Sequence, residues 1–107
     1  MPLPPELSPE DRAAALAKAE AARRQRAELK EKLKMGSTTL KELLEQAERD
    51  EVVGKMKVVT VLESLPGVGK VRARRMMEQI GISEARRVRG LGAQQRESLL
   101  KAFPADS

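Results

Sequence analysis

The sequence predicts an all-α protein: a long N-terminal helix, then a compact domain of four to five helices. Three observations carry this. From Glu10 to Met35 the chain has no Gly or Pro and is rich in Ala, Glu, Lys and Arg. Beyond Met35, apolar residues recur at i, i+3, i+4 and i+7, the spacing of one helix face. One β-branched run, Val58 to Val61, favours a strand, but no second candidate strand exists to pair with it.

The elements follow in order. "MPLPPELS" carries three prolines and reads as an extended, mobile arm over residues 1–8. Ser8 can cap a helix, Pro9 suits its first position, and Glu10 and Asp11 favour its positive end. That helix should run over 9–35, about 40 Å at 1.5 Å per residue, and stop at Gly36. Leu29 and Leu33 should dock its second half. Its first half, with Leu16 as the sole large apolar side chain, should project.

Residues 37–107 form the second unit. In "STTLKELLEQAERDE", Leu40, Leu43, Leu44 and Ala47 make a helical stripe, and Thr39 with Glu42 fits a capping box. Residues 56–65 are ambiguous, but Val58, Val61, Leu62 and Leu65 support a helix. Ala73, Met76, Met77 and Ile80 mark another, ended by Gly81. "ISEARRVRGLG" allows no more than a helical turn. Leu99, Leu100 and Phe103 line a last helix before Pro104.

A shift of 23 residues lays Gly67-Val68-Gly69 on Gly90-Leu91-Gly92, and Met76, Met77 and Ile80 on Leu99, Leu100 and Phe103. The echo implies two glycine turns, each opening a helix.

Composition narrows the function. The 107 residues include no Cys and no His, which excludes a disulfide framework and a zinc finger and removes the usual nucleophile–base pairs. No convincing acid–base pair remains, so no enzyme and no cofactor is expected. No membrane span or signal peptide is visible, and a cytoplasmic location is expected. The net charge is +5. Residues 1–50 balance, so the excess lies in 51–107. Within 64–92, seven basic residues (Lys70, Arg72, Arg74, Arg75, Arg86, Arg87, Arg89) face two acidic ones, Glu78 and Glu84. Localised positive charge points to a polyanion. On the long helix, Arg23, Arg24, Arg26, Lys30 and Lys34 form either a solvated, ion-paired face or a second phosphate-contacting surface.

"LPGVGK" resembles a nucleotide loop but is not one. Ser64 stands where the loop's first Gly belongs, and Val71 stands where its Ser or Thr belongs. It fits a hairpin between helices instead. Pro66 ends one helix, Gly67 and Gly69 permit a tight turn, and Val68 pins it inward. The amides of Gly69, Lys70 and Val71 then open the next helix at its positive end, where a phosphate can bind. Lys70 and Arg72 add charge. In "ARRVRGLG", Arg86, Arg87 and Arg89 surround an inward-facing Val88, and arginines on a rigid turn can enter a minor groove. The lack of stacking aromatics disfavours single strands. Duplex DNA, bound with little sequence specificity and strong salt dependence, is the expected partner. No small-molecule substrate is expected.

"LPGVGKVRARRMMEQIGI" followed by "RRVRGLG" resembles the helix–two-turns–helix domain of a small-subunit ribosomal protein and certain DNA-repair glycosylases. With "RAAALAKAEAARRQRAELKEKLK" and "DEVVGKMKV", nearly the whole chain resembles the actinobacterial integration host factor family. That family is unrelated to the β-ribbon heterodimer of the same name. The resemblance implies a monomeric, nucleoid-associated protein that binds and bends duplex DNA in integration, chromosome compaction and regulation. By matching motif, the contacts fall on Pro66, Val68, Gly69 and Lys70 in the hairpin, with Arg86, Arg87 and Arg89 as the groove arginines. The reading of the two turns themselves adds Gly67, Val71, Arg72, Gly90 and Gly92 to the expected DNA contacts. "KVVTVLES" is more β-branched than the family pattern, and some relatives carry a basic residue at the Gly67 position. A ribosomal-type RNA-binding module and an accessory subunit of a repair enzyme are the alternatives.

Overall fold

The computed structural model describes residues 8–103. The expected arm, apart from Ser8, and the stop at Pro104 lie outside the described residues. Six α-helices and one 3₁₀ turn make up the described chain, with no extended strand among the described residues. The fold is all-α, as the sequence predicts, with five helices following the long one. None of the helices is long and apolar enough to cross a membrane.

α1 spans Pro9–Met35, and the Ser8 side chain accepts a hydrogen bond from the Asp11 amide at 3.1 Å. Gly36, at φ 77°, ends it. Residues 9–21 are exposed on every side, so this half projects as expected. Docking begins at the partly buried Ala22 and Gln25 and continues through the buried Leu29 and Leu33.

α2, Leu40–Ala47, carries the capping box between Thr39 and Glu42. It stops earlier than the pattern of "LEQAERDE" suggests. Asp50 takes an extended conformation, and its carboxylate accepts hydrogen bonds from the Val52 and Val53 amides. That starts a short new helix, α3, over Glu51–Gly54. An aspartate competes well for local backbone amides, which makes it a good cap and a poor helix interior.

The 56–65 expectation needs correction. α4 covers only Val58–Glu63. Before it, Lys57 is extended and finds a partner in the arginine turn. The Val58 amide donates to the Arg86 carbonyl, and the Val88 amide to the Met56 carbonyl, each at 2.9 Å. Lys57 and Arg87 thus form one antiparallel bridge. The β-branched run Val58 to Val61 is itself helical, so only Lys57, just before it, has strand geometry.

α5 is Lys70–Ile80, the 3₁₀ turn Val88–Gly90, and α6 Ala93–Ala102. The core is aliphatic: Leu33, Leu43, Leu62, Met77 and Leu99 are its largest fully buried side chains, with Phe103 closing one edge. The 23-residue echo holds at the helix starts, where Gly69 and Gly92 are both extended N-caps. It fails deeper in. α5 buries Ala73 and Met77, whereas α6 buries Leu99, which aligns with the half-buried Met76. One residue of offset rotates the buried face by about 100°.

Candidate nucleic-acid interface

The hairpin between α4 and α5 forms as expected. Val68 is buried, and Gly67 adopts φ 74°, a left-handed conformation that disfavours a side chain. Gly69 has no side-chain cap to offer, so none of the amides opening α5 is bonded by the N-cap residue's side chain. The Ala73 amide is the first to reach a carbonyl, that of Gly69, at 3.0 Å. The amides of Lys70, Val71 and Arg72 therefore precede the helical ladder, at the positive end of an 11-residue helix.

The second turn is built differently. Gln95 Oε1 accepts the Gly92 amide at 3.0 Å, and Gln95 Nε2 donates to the Gly81 carbonyl. Gly90 lies in the 3₁₀ turn with Arg86 against it, and its φ is not positive. Both glycine turns thus open a helix whose first three amides have no side-chain cap. The first ladder bond at α6 runs from the Arg96 amide to the Gly92 carbonyl at 3.0 Å. The turns differ in that Gln95 bonds the Gly92 amide.

The arginines of the second turn are held in place. Arg87 Nη1 donates to the Lys55 carbonyl at 2.6 Å, and Arg86 Nη1 to the Gly90 carbonyl at 3.1 Å. The Arg89 stem packs over Gly54, where a Cβ would sit 3.4 Å from Arg89 Cβ and 3.2 Å from the Ala47 carbonyl oxygen. Gly54 is small so that this turn can come close.

A trough links the two turns. Beside the hairpin its walls are Lys30, Glu31 and Lys34 of α1, Thr60 and Glu63 of α4, and residues 64–70. At Lys30 and Thr60 it meets a hollow lined by Arg26, Lys55, Lys57 and Arg87. Arg87 also borders a depression containing Arg86, Arg89 and Gly90. Arg26, Lys30 and Lys34 thus belong to the same surface as the hairpin and not to a separate one. Four-residue spacing puts them along one flank of α1, next to its docked stripe. Arg23 lies on the same flank nearer the projecting half, and Arg24 is turned about 100° away.

Three expected residues sit elsewhere. Arg72 lies with its guanidinium 5.8 Å from the Phe103 ring centroid, in a separate groove that Leu40 and Ala102 also line. Val71 is 71% exposed and lines none of the trough's hollows. Gly92 does not border the trough either. Conversely, Lys55 and Lys57 were not singled out from the sequence. Their neighbours are apolar and the local charge is unremarkable, so only the bridge to Arg87 reveals them.

Asp50 fixes how α1 sits against this surface. Besides capping α3, it accepts hydrogen bonds from Gln25 Nε2 of α1 at 2.5 Å and from Gln46 Nε2 at 3.4 Å. Partial burial pulls its pKa up, but the hydrogen bonds from Gln25, Val53, Gln46 and Val52 outweigh that and hold it below the usual value. Glu51 is likewise held low by its hydrogen bond and ion pair with Lys55, at 2.7 Å.

A helical domain with a glycine hairpin opening one helix, and a second turn opening another, defines a helix–two-turns–helix protein. A profile of the S13-like H2TH domain matches residues 33–103. The integration host factor of Streptomyces coelicolor is 60% identical over 103 residues, covering 96% of this chain and 95% of its own. That of Mycobacterium tuberculosis is 58% identical over 99 residues, covering 92% and 94%. A solved structure of sIHF bound to an 8-base-pair palindromic DNA superposes with a TM-score of 0.79 at 57% identity, covering 81% of this chain and 98% of that one. The chain belongs to the integration host factor family, within the S13-like H2TH class.

Proposed function

We propose that this protein is a DNA-binding architectural protein of the nucleoid that holds duplex DNA along the trough and bends it. The observation that carries the proposal is the continuity of the trough, from the open amides of α5 to the arginine turn, with Arg26, Lys30, Lys34, Lys55 and Lys57 along it. The relatives named integration host factor and the DNA-bound sIHF structure support it.

In this reading a phosphate meets the open Lys70, Val71 and Arg72 amides, with the Lys70, Lys30 and Lys34 side chains supplying charge around it. Gly67 and Gly69 keep side chains out of its way, since nothing stands within 4 Å of where either Cβ would be. Arg86 and Arg89 reach the minor groove from a turn already fixed to the domain, so little side-chain freedom is lost on binding. Most contacts are to the backbone, which gives affinity without much sequence preference. Smoothly bending a short site by 40–90° costs about 1–6 kcal/mol, which several phosphate contacts can offset. The role is architectural, not catalytic, and the protein is a monomer when free. Such a protein would support integration, chromosome compaction and regulation.

Duplex binding measured against salt tests this. Each phosphate contact contributes about 0.9 to the slope of log K against log salt. Changing Lys30, Lys34 and Lys57 together to Gln should lower the slope by roughly 2–3. A slope and affinity equal to those of the unaltered protein would remove the trough from the DNA path. Structured RNA that outcompetes the duplex would favour the ribosomal-type alternative.

A further inference from the structure

Ser83 stands on the rim of the arginine depression and takes no part in the contacts assigned above. The hollow is lined by Ser83, Ala85, Arg86, Arg87, Arg89 and Gly90. Ile82 and Val88 are buried at either end of the turn, and residues 83–87 between them are exposed. Of the serines and threonines among the described residues, only Ser37 and Ser83 are exposed. Ser37 lines none of the trough's hollows.

Two hydrogen bonds fix this serine relative to the arginines. Its Oγ accepts the Ala85 amide at 3.2 Å, and its carbonyl accepts the Arg86 amide at 3.0 Å. An aspartate makes the same turn, but with a permanent negative charge beside the arginines. Serine makes the turn and stays neutral. The three guanidinium groups are not neutralised by other means, since none of them forms a salt bridge among the described residues. Glu84, next to Ser83, is drawn to Arg74 of α5 at 3.3 Å. Arg86 and Arg87 each use one nitrogen on a backbone carbonyl, and a guanidinium has further N–H donors to offer.

We infer that Ser83 is a phosphorylation site whose phosphate occupies the arginine turn and weakens the hold on DNA. The modifying partner is a protein kinase carrying a nucleoside triphosphate. Ser83 Oγ attacks the γ-phosphorus, and the Oγ–P bond forms. The bond from that phosphorus to the β,γ-bridging oxygen breaks, and the nucleoside diphosphate leaves with the electron pair. The hydroxyl proton passes to a base of the kinase. The product carries a charge of about −1.5 to −2 at pH 7 and strong acceptor oxygens. Held on the rim of the hollow, it forms charge-assisted hydrogen bonds with the guanidinium groups. Those groups are then lost to the duplex, and the added charge repels the duplex's own phosphates. The open amides of α5 lie at the other end of the trough, so binding weakens without disappearing. The consequence for DNA rests on the function proposed above.

Protein carrying phosphoserine at position 83, installed during translation, tests the switch. Its Kd for a short duplex should rise at least about tenfold at fixed salt, and its salt slope should fall by roughly 2. Ala13→phosphoserine puts the same charge on the exposed tip of α1, and should leave Kd within about twofold. Ser83→Ala should bind as the unaltered protein does. Without DNA, the phosphate at position 83 should titrate at lower pH in phosphorus-31 spectra than the one at position 13, because the arginines favour its doubly charged form. Arg86→Gln with Arg89→Gln should shrink that difference. Mass spectrometry of the protein from the cells that make it, growing and starved, should find phosphate on Ser83. Equal Kd for the two phosphoserine proteins, or equal titration of their phosphates, overturns the proposed arrangement. Absence of phosphate from Ser83 in both cell states overturns the modification. An unaltered protein that fails to bind duplex overturns the DNA-binding function instead, and the titration still reports on the phosphate site by itself.

Discussion

Gly69→Ser should make the protein more stable and a poorer DNA binder. Gly69 is the N-cap of α5, with φ −90° and ψ 179°, an extended conformation open to any residue. Nothing lies within 4 Å of where its Cβ would be. Serine would therefore fit without strain, and its Oγ would accept the Val71 or Arg72 amide. A serine cap is favoured over glycine by a few tenths of a kcal/mol, and losing glycine's freedom in the unfolded chain adds about 0.4–1 kcal/mol. A net gain of about 0.5–1 kcal/mol raises Tm by roughly 2–6 °C. The same hydroxyl takes an amide that the proposed phosphate needs. A hydrogen bond to a charged group is worth about 1.5–3 kcal/mol, so Kd should rise roughly ten- to a hundredfold. Thermal denaturation and duplex anisotropy at fixed salt measure the two effects. Gly69→Ala, which adds bulk but no acceptor, should weaken binding less. Raised stability with unchanged Kd in Gly69→Ser would refute amide capture by DNA phosphate. Lowered stability would refute the capping geometry.

Three further outcomes follow from the packing. Gly67→Ala forces a side chain into φ 74° with open space around it, so its cost of about 1–2 kcal/mol is conformational and should appear as a lower urea midpoint. Leu33→Ala, at a fully buried site that docks α1, should cost about 2–5 kcal/mol in urea denaturation, whereas Leu16→Ala should stay within about 0.5 kcal/mol. Asp50 has a folded pKa below its unfolded value, so the unfolded state binds more protons in acid. Its contribution is complete above the unfolded pKa, near the ordinary aspartate value of 3.8, and is lost as pH falls through the lower folded pKa. Asp50→Asn should flatten that acid limb in denaturation measured against pH.

Much of the fold is local chemistry, and local chemistry is legible in order along the chain. Ser8, Gly36, Thr39 with Glu42, and Gly81 each mark a helix end through a cap or a left-handed glycine that needs only its neighbours. The stripes of Leu29 and Leu33, of Leu40, Leu43 and Leu44, and of Ala73 and Met77 mark buried faces through helical period alone. The hairpin and its open amides belong to this class, since Pro66 to Lys70 are contiguous. What the sequence left undecided depends on contacts between distant segments. The extended Lys57 that interrupts the helical pattern is paired with Arg87, and the same bridge brings Lys55 and Lys57 to the arginine turn. The Gln25–Asp50 hydrogen bond and the docking of Leu29 and Leu33 set the rotation of α1. That rotation puts Arg26, Lys30 and Lys34 on the hairpin's own surface, leaves Arg24 off it, and frees residues 9–21. Periodicity says which side of a helix is apolar. Only packing decides which charged flank then faces which turn, because a helix can dock its stripe at more than one rotation and height.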